Sequence, residues 1–132
     1  MKSPFPTKAV LHEVVLRDGI QNEKNIVSTE EKLRLIERLA TSGVQRIEVS
    51  SFVNPKLVPQ MADAEELWKR IDRKKSVLYS ALILSERGLE RAMACGVPHV
   101  GIFVSASETH SRKNSNKSIT EALKESLTLI RK

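Results

Sequence analysis

The sequence predicts an α/β fold in which parallel strands alternate with helices. Short runs rich in Val, Ile and Leu alternate four times with longer stretches whose apolar residues recur at helical spacing. A serine stands three positions before a glutamate at two helix starts, Ser28–Glu31 and Ser118–Glu121, the spacing of a capping box. Gly43 and Gly96 stand where helices should stop, each just ahead of a new apolar run. Regular βα alternation implies a parallel sheet with helices packed outside it.

The elements follow in order. Ala9 to Leu16, with Val10, Leu11, Val14 and Val15, reads as a strand ending at Arg17-Asp18-Gly19. A polar loop, Gln21 to Asn25, leads to a helix that opens at Ser28 and carries Leu33, Ile36, Leu39 and Ala40. Val44 to Val49 is the second strand. The loop Ser50 to Pro59 contains Pro55 and Pro59, and Pro59 suits the first turn of a helix. Met61, Ala64, Leu67, Trp68 and Ile71 form the apolar stripe of that helix. Val77 to Leu84 is the third strand. Ser85 caps a helix running through Leu89, Ala92 and Met93, and Val97 to Val104 is the fourth strand. A long polar loop, Ser105 to Lys117, precedes a last helix bearing Leu123, Leu127 and Ile130. An eight-unit barrel needs roughly 250 residues, so four units in 132 residues make half of one. A small doubly wound sheet fits the same length. Pattern alone leaves both open.

Composition narrows the function. The chain has 40% hydrophobic and 29% charged residues, as expected of a globular protein and not of a disordered one. A single cysteine, Cys95, excludes an internal disulfide framework and fits a reducing compartment. No apolar run approaches the roughly 18 residues that span a bilayer, and Met1 to Lys8 lacks the apolar stretch of a secretory signal. The expected location is the cytoplasm, with no membrane partner. The net charge is +6, with basic clusters at Lys69–Lys75 and at Arg112, Lys113 and Lys117. Such charge attracts nucleic acid or phosphorylated metabolites. Aromatics are only 4%, however, so no stacking platform accompanies it and no nucleic-acid partner is expected. Lys69–Lys75 reads as the solvated end of a helix.

In parallel α/β proteins the reacting groups gather at the C-terminal ends of strands. Strand one ends in Arg17 and Asp18, with Gln21 beyond. An aspartate oxygen suits a hard cation such as Mg2+ or Mn2+, and a guanidinium suits a carboxylate or a developing oxyanion. From spacing alone the pair reads more readily as a contact closing a surface turn. Glu48 is an acid between Ile47 and Val49, so it faces either solvent at a sheet edge or a polar site. Of the three histidines only His110 falls in a strand-end loop. His12 lies within strand one, and His99 follows a helix stop.

Longer motifs go further. Arg17-Asp18-Gly19-Ile20-Gln21-Asn22-Glu23 resembles the RDGxQNE signature of 3-hydroxy-3-methylglutaryl-CoA lyases. Glu48 to Lys56, Val58-Pro59-Gln60-Met61, and Ser105 to His110 with Lys113-Asn114 and Asn116-Lys117-Ser118 resemble further segments of that family. The resemblance runs from about residue 8 to the end. It implies a (β/α)8 TIM barrel, with residues 1–132 as the N-terminal half of a lyase domain of the pyruvate carboxyltransferase type. It also implies metal-dependent retro-Claisen cleavage of 3-hydroxy-3-methylglutaryl-CoA to acetyl-CoA and acetoacetate. By that likeness Asp18 is a metal ligand, Arg17 and Glu48 are catalytic, and Arg17, Gln21, Lys24, Lys113, Asn114 and Asn116 contact the acyl-CoA substrate. The family's remaining metal ligands, a His-x-His pair and an Asn, come from later strands, as does a glycine-rich loop with a reactive cysteine. A divalent Mg2+ or Mn2+ is therefore expected only in the complete barrel, and this half is expected to be inactive alone. Exposed sheet edges point to self-association or a missing C-terminal half, and leave as an alternative a non-catalytic half-barrel that dimerises or binds a partner. One departure points elsewhere. The family usually has Gly-Pro ahead of the Arg-Asp pair, whereas Val15-Leu16 here is closer to related acyl-CoA condensing enzymes such as isopropylmalate synthase.

Overall fold

The computed structural model describes residues 5–132. Residues 1–4, the start of the segment expected to lack a secretory signal, lie outside them. The described strands are β1 (His12–Glu13), β2 (Arg46–Ser51), β3 (Leu78–Ile83) and β4 (Val100–Ile102). They form one parallel sheet in the order β1-β2-β3-β4. Each strand lies beside its predecessor, with no reversal of order. A doubly wound sheet requires such a reversal, so this sheet is the wall of a partial barrel.

Among the described residues five α-helices accompany it: α1 (Thr29–Thr41), α2 (Ala64–Arg70), α3 (Glu86–Ala94), α4 (Glu108–Ser115) and α5 (Ile119–Ile130). Ser28 and Ser118 make the expected capping boxes, and Ser85 accepts from the Gly88 amide. Gly43 and Gly96 adopt φ of +91° and +64°, left-handed backbone that ends the preceding helices cheaply only for glycine.

Side chains alternate across the sheet. Ile47 and Val49 of β2, with Tyr79, Ala81 and Ile83 of β3, face the helices. There they pack with Ile36 of α1, Leu67 and Trp68 of α2, and Leu89 and Ala92 of α3. Glu48 and Ser80, paired in register, face the opposite side, the barrel interior. A bulge at Val49 then shifts the register so that Ser50, not Val49, pairs with Ala81 on the helix side. Ser50 Oγ accordingly meets Met61 Sδ at 3.4 Å, while Ser51 turns inward beside Leu82.

Three expectations need correction. The apolar run Ala9–Leu16 is a strand only at His12–Glu13, because Val15–Gly19 winds into a π-helical turn that buries Leu16. The second helix does not run unbroken from Pro59. Pro59–Met61 forms a separate 3-10 turn, and α2 begins at Ala64. The polar segment Ser105–Lys117 contains α4, capped by Ser107, whose side chain accepts from the His110 amide. That helix is polar nearly all round and buries only Ser111, so no apolar period announced it.

The outer face of α5 is unfinished. Leu123, Leu127 and Ile130 are exposed along one stripe, and Phe103 just beyond β4 is half in solvent. No helix among the described residues is long and apolar enough to cross a membrane.

Candidate functional site

The π-helical turn after β1 positions the first site residues. The carbonyl of Val14 accepts from the amides of Arg17, Asp18 and Gly19 at 3.1, 2.8 and 3.4 Å. Adjacent residues on a helical turn diverge by roughly 100° instead of the 180° of a strand, so Arg17 and Asp18 can serve one mouth. π-turns of this kind are frequent at functional sites. Leu16, 1% exposed, anchors the turn in the core.

Arg17 bridges two carboxylates. Its Nη1 donates to Asp18 Oδ1 at 2.6 Å, and its Nε donates to Glu48 Oε1 at 2.5 Å. The Arg17–Asp18 contact is the surface contact that spacing alone suggested, with Asp18 64% exposed. Glu48 resolves differently. It is buried and turned to the interior face, where the guanidinium compensates the charge that an apolar strand cannot solvate. Its Oε2 lies toward β4, where a side chain added at Gly101 would begin 3.7 Å away. His12 sits on the same side through Ser80, Nε2 to Oγ 3.4 Å.

A second cluster lies beyond the C-terminal end of β4. A cavity of about 400 Å3 between this strand end and α4 and α5 is lined in part by Phe103, Ser105, Lys113, Asn114, Asn116 and Lys117. Asn116 takes the left-handed conformation that ends α4, at φ 56°. His110 leans over the strand end, with Nδ1 3.0 Å from Ser105 Oγ and its ring edge-on to Phe103. Gln21 is half-buried and Lys24 exposed, both in the segment after the π-turn. The fold thus joins Arg17, Asp18 and Glu48 directly and gathers Lys113, Asn114 and Asn116 around the cavity.

Two residues escaped sequence reasoning. Lys32 is 2% exposed and ion-paired to Asp63, and Gln60 is buried. Lys32 stands one turn before Ile36, on the inward face of α1. A lysine on an apolar stripe was the available signal. Cys95, half-buried at the end of α3, has its thiol pKa raised chiefly by burial, which suits a small packed residue and not a reactive thiolate.

The donor set bears on a metal. Asp18 offers an exposed carboxylate at the strand ends, which suits one coordination position of a hard cation. Among the described residues no three His, Cys, Asp or Glu side chains come together as a metal cluster. The chain can contribute to such a site without completing it.

The chain matches known proteins along most of its length. The HMGL-like family model matches residues 8–132. The hydroxymethylglutaryl-CoA lyase YngG of Bacillus subtilis is 48% identical over 120 residues, covering 91% of this chain and 40% of the relative. The human mitochondrial hydroxymethylglutaryl-CoA lyase is 46% identical over 118 residues, covering 89% and 36%. Among solved structures, the Bacillus subtilis HMG-CoA lyase superposes with a TM-score of 0.92 at 44% identity, over 98% of this chain and 43% of that one. An Acinetobacter baumannii HMG-CoA lyase in complex with coenzyme A and 3-methylmalate superposes with a TM-score of 0.87 at 35% identity, over 92% and 40%. The chain spans about 40% of the length of the relatives it matches.

Proposed function

Because this chain belongs to the HMGL-like family, we propose that it forms the N-terminal part of a hydroxymethylglutaryl-CoA lyase barrel. That barrel cleaves 3-hydroxy-3-methylglutaryl-CoA to acetyl-CoA and acetoacetate. The observation that carries the reading is the Arg17 guanidinium, fixed by Glu48 at 2.5 Å where the strands open toward the barrel mouth. In this reading the tertiary hydroxyl gives its proton to a base from the rest of the barrel, the adjacent carbon–carbon bond breaks to leave acetoacetate, and its electron pair forms an acetyl-CoA enolate that is then protonated to acetyl-CoA. Arg17 stabilises the enolate oxygen with its remaining N–H groups. This preorganised charge acts where negative charge develops. Glu48 keeps the guanidinium aimed and its rotamers few. Asp18 would hold a divalent metal, Mg2+ or Mn2+, together with ligands from the rest of the barrel. That ion supplies Lewis-acid polarisation of the substrate oxygens.

The acyl-CoA assignment extends to the cavity. Lys113 brings positive charge suited to CoA phosphates, and Asn114 and Asn116 bring amide donors. Gln21 and Lys24 contact the substrate from the segment after the π-turn. A reducing compartment such as the cytoplasm suits the single cysteine.

The complete barrel, supplied with Mg2+ or Mn2+, is expected to release acetoacetate from 3-hydroxy-3-methylglutaryl-CoA. It should not condense acetyl-CoA with a 2-oxo acid. Condensation without cleavage would favour an isopropylmalate synthase-like enzyme, the alternative raised by Val15-Leu16.

A further inference from the structure

Gln60 makes three hydrogen bonds to one loop while 2% exposed. Its Nε2 donates to the carbonyls of Glu23 and Asn25 at 3.2 and 2.7 Å, and its Oε1 accepts from the Val27 amide at 3.1 Å. Every hydrogen-bonding group of the side-chain amide is thus spent on backbone that is otherwise on the surface, since residues 22–26 are exposed.

The glutamine is itself held from behind. Its backbone carbonyl accepts from Lys32 Nζ at 2.5 Å. Lys32 also donates to Asp63 Oδ1 at 2.7 Å, and Asp63 Oδ2 accepts from Thr29 Oγ1 at 2.9 Å. The 3-10 turn Pro59–Met61 is therefore clamped to α1 on one side and to the 23–27 segment on the other. A buried ion pair is a poor source of stability, because well-packed apolar residues of similar volume do as well or better. What an apolar replacement cannot reproduce is directional fixing of the loop.

We propose that Gln60 is a positioning residue, which Lys32 and Asp63 hold in place so that it fixes the segment carrying Gln21 and Lys24 against the acyl-CoA. This rests on the lyase reading of those two residues. Gln60→Met removes all three loop bonds, and Gln60→Glu keeps only the acceptor for Val27. Lys32→Met releases Gln60 from behind with little change in shape.

Amide exchange in this chain reads the clamp. In Gln60→Met the Val27 amide should exchange at least about tenfold faster relative to Ile47 and Val49 in the core. Gln60→Glu should restore part of that protection, and Lys32→Met should show a smaller local release. Acceleration of Val27 only in step with Ile47 and Val49 would mean general destabilisation and overturn the clamp. In the complete barrel, Gln60→Met should raise KM for 3-hydroxy-3-methylglutaryl-CoA at least about fivefold with kcat little changed. A released loop with unchanged KM would overturn the positioning role. A wild-type barrel that cleaves none of this substrate defeats the lyase reading instead, and Val27 exchange still decides the clamp.

Discussion

Breaking the Arg17–Glu48 pair should be costly, and the cost can be worked from its burial. Glu48 keeps 8% of its side chain in solvent and Arg17 keeps 20%. Removing one member of a fully buried ion pair costs about 3–5 kcal/mol, because the other charge is stranded. Arg17 is not fully buried and retains Asp18 as a second partner, so Glu48→Gln should cost less, about 1–3 kcal/mol. Arg17→Gln strands the more deeply buried charge and should cost about 2–4 kcal/mol. Glutamine preserves most of the volume at position 48, so packing changes largely cancel in a double-mutant cycle. The coupling energy should be about 1.5–3 kcal/mol. Urea denaturation of the four proteins at neutral pH measures it. A coupling below about 0.5 kcal/mol would place the pair among exposed ion pairs and refute the claim that Glu48 orders the guanidinium.

Other consequences are simpler to test. Gly88→Ala should lower thermal stability by about 1–2 kcal/mol in spite of alanine's better helix propensity. A Cβ there would lie 2.6 Å from the Phe52 backbone carbonyl, and a stabilised variant would contradict that packing. The Arg91 side chain, hydrogen-bonded to Glu65, holds that carboxyl below its ordinary value of 4.5. Its stabilising contribution should be complete above that value and vanish as pH falls through the lower folded pKa. Acid titration of Glu65→Gln should therefore show a shallower loss of stability on the acid side. The exposed stripe Leu123, Leu127 and Ile130 should drive self-association of this chain, weakened by Leu127→Lys. Sedimentation showing wild type and variant equally monomeric would remove that expectation.

Most of the fold was legible because local signals agreed with one another. The capping serines at 28, 85 and 118 and the glycines at 43 and 96 mark helix limits through backbone chemistry that needs no tertiary context. The choice of barrel over doubly wound sheet was not legible in periodicity, since both share βα alternation. It came from motif resemblance and from the strand order. The π-turn hid inside an apolar run because Val14 and Val15 satisfy strand propensity as well as the turn does. Helix α4 hid because polar side chains line a cavity there and supply no stripe. The site was partly legible. Arg17, Asp18 and Glu48 meet, but nothing in their spacing shows that Arg17 bridges both acids across 31 positions of chain. Gln60 was silent, because its partners are backbone groups of a distant loop, and Lys32 showed only as a lysine on an apolar stripe.

The central claim is that Arg17 serves a lyase and does more than close a turn. Acetoacetate release from 3-hydroxy-3-methylglutaryl-CoA by the complete barrel with Mg2+ or Mn2+, wild type against Arg17→Gln, tests it most directly. Loss of one preorganised donor to a developing oxyanion costs roughly 10²–10³-fold in kcat. A fall of at least that size is expected in an Arg17→Gln variant that remains folded. Unchanged acetoacetate release by folded Arg17→Gln, or none from the wild type, would contradict it.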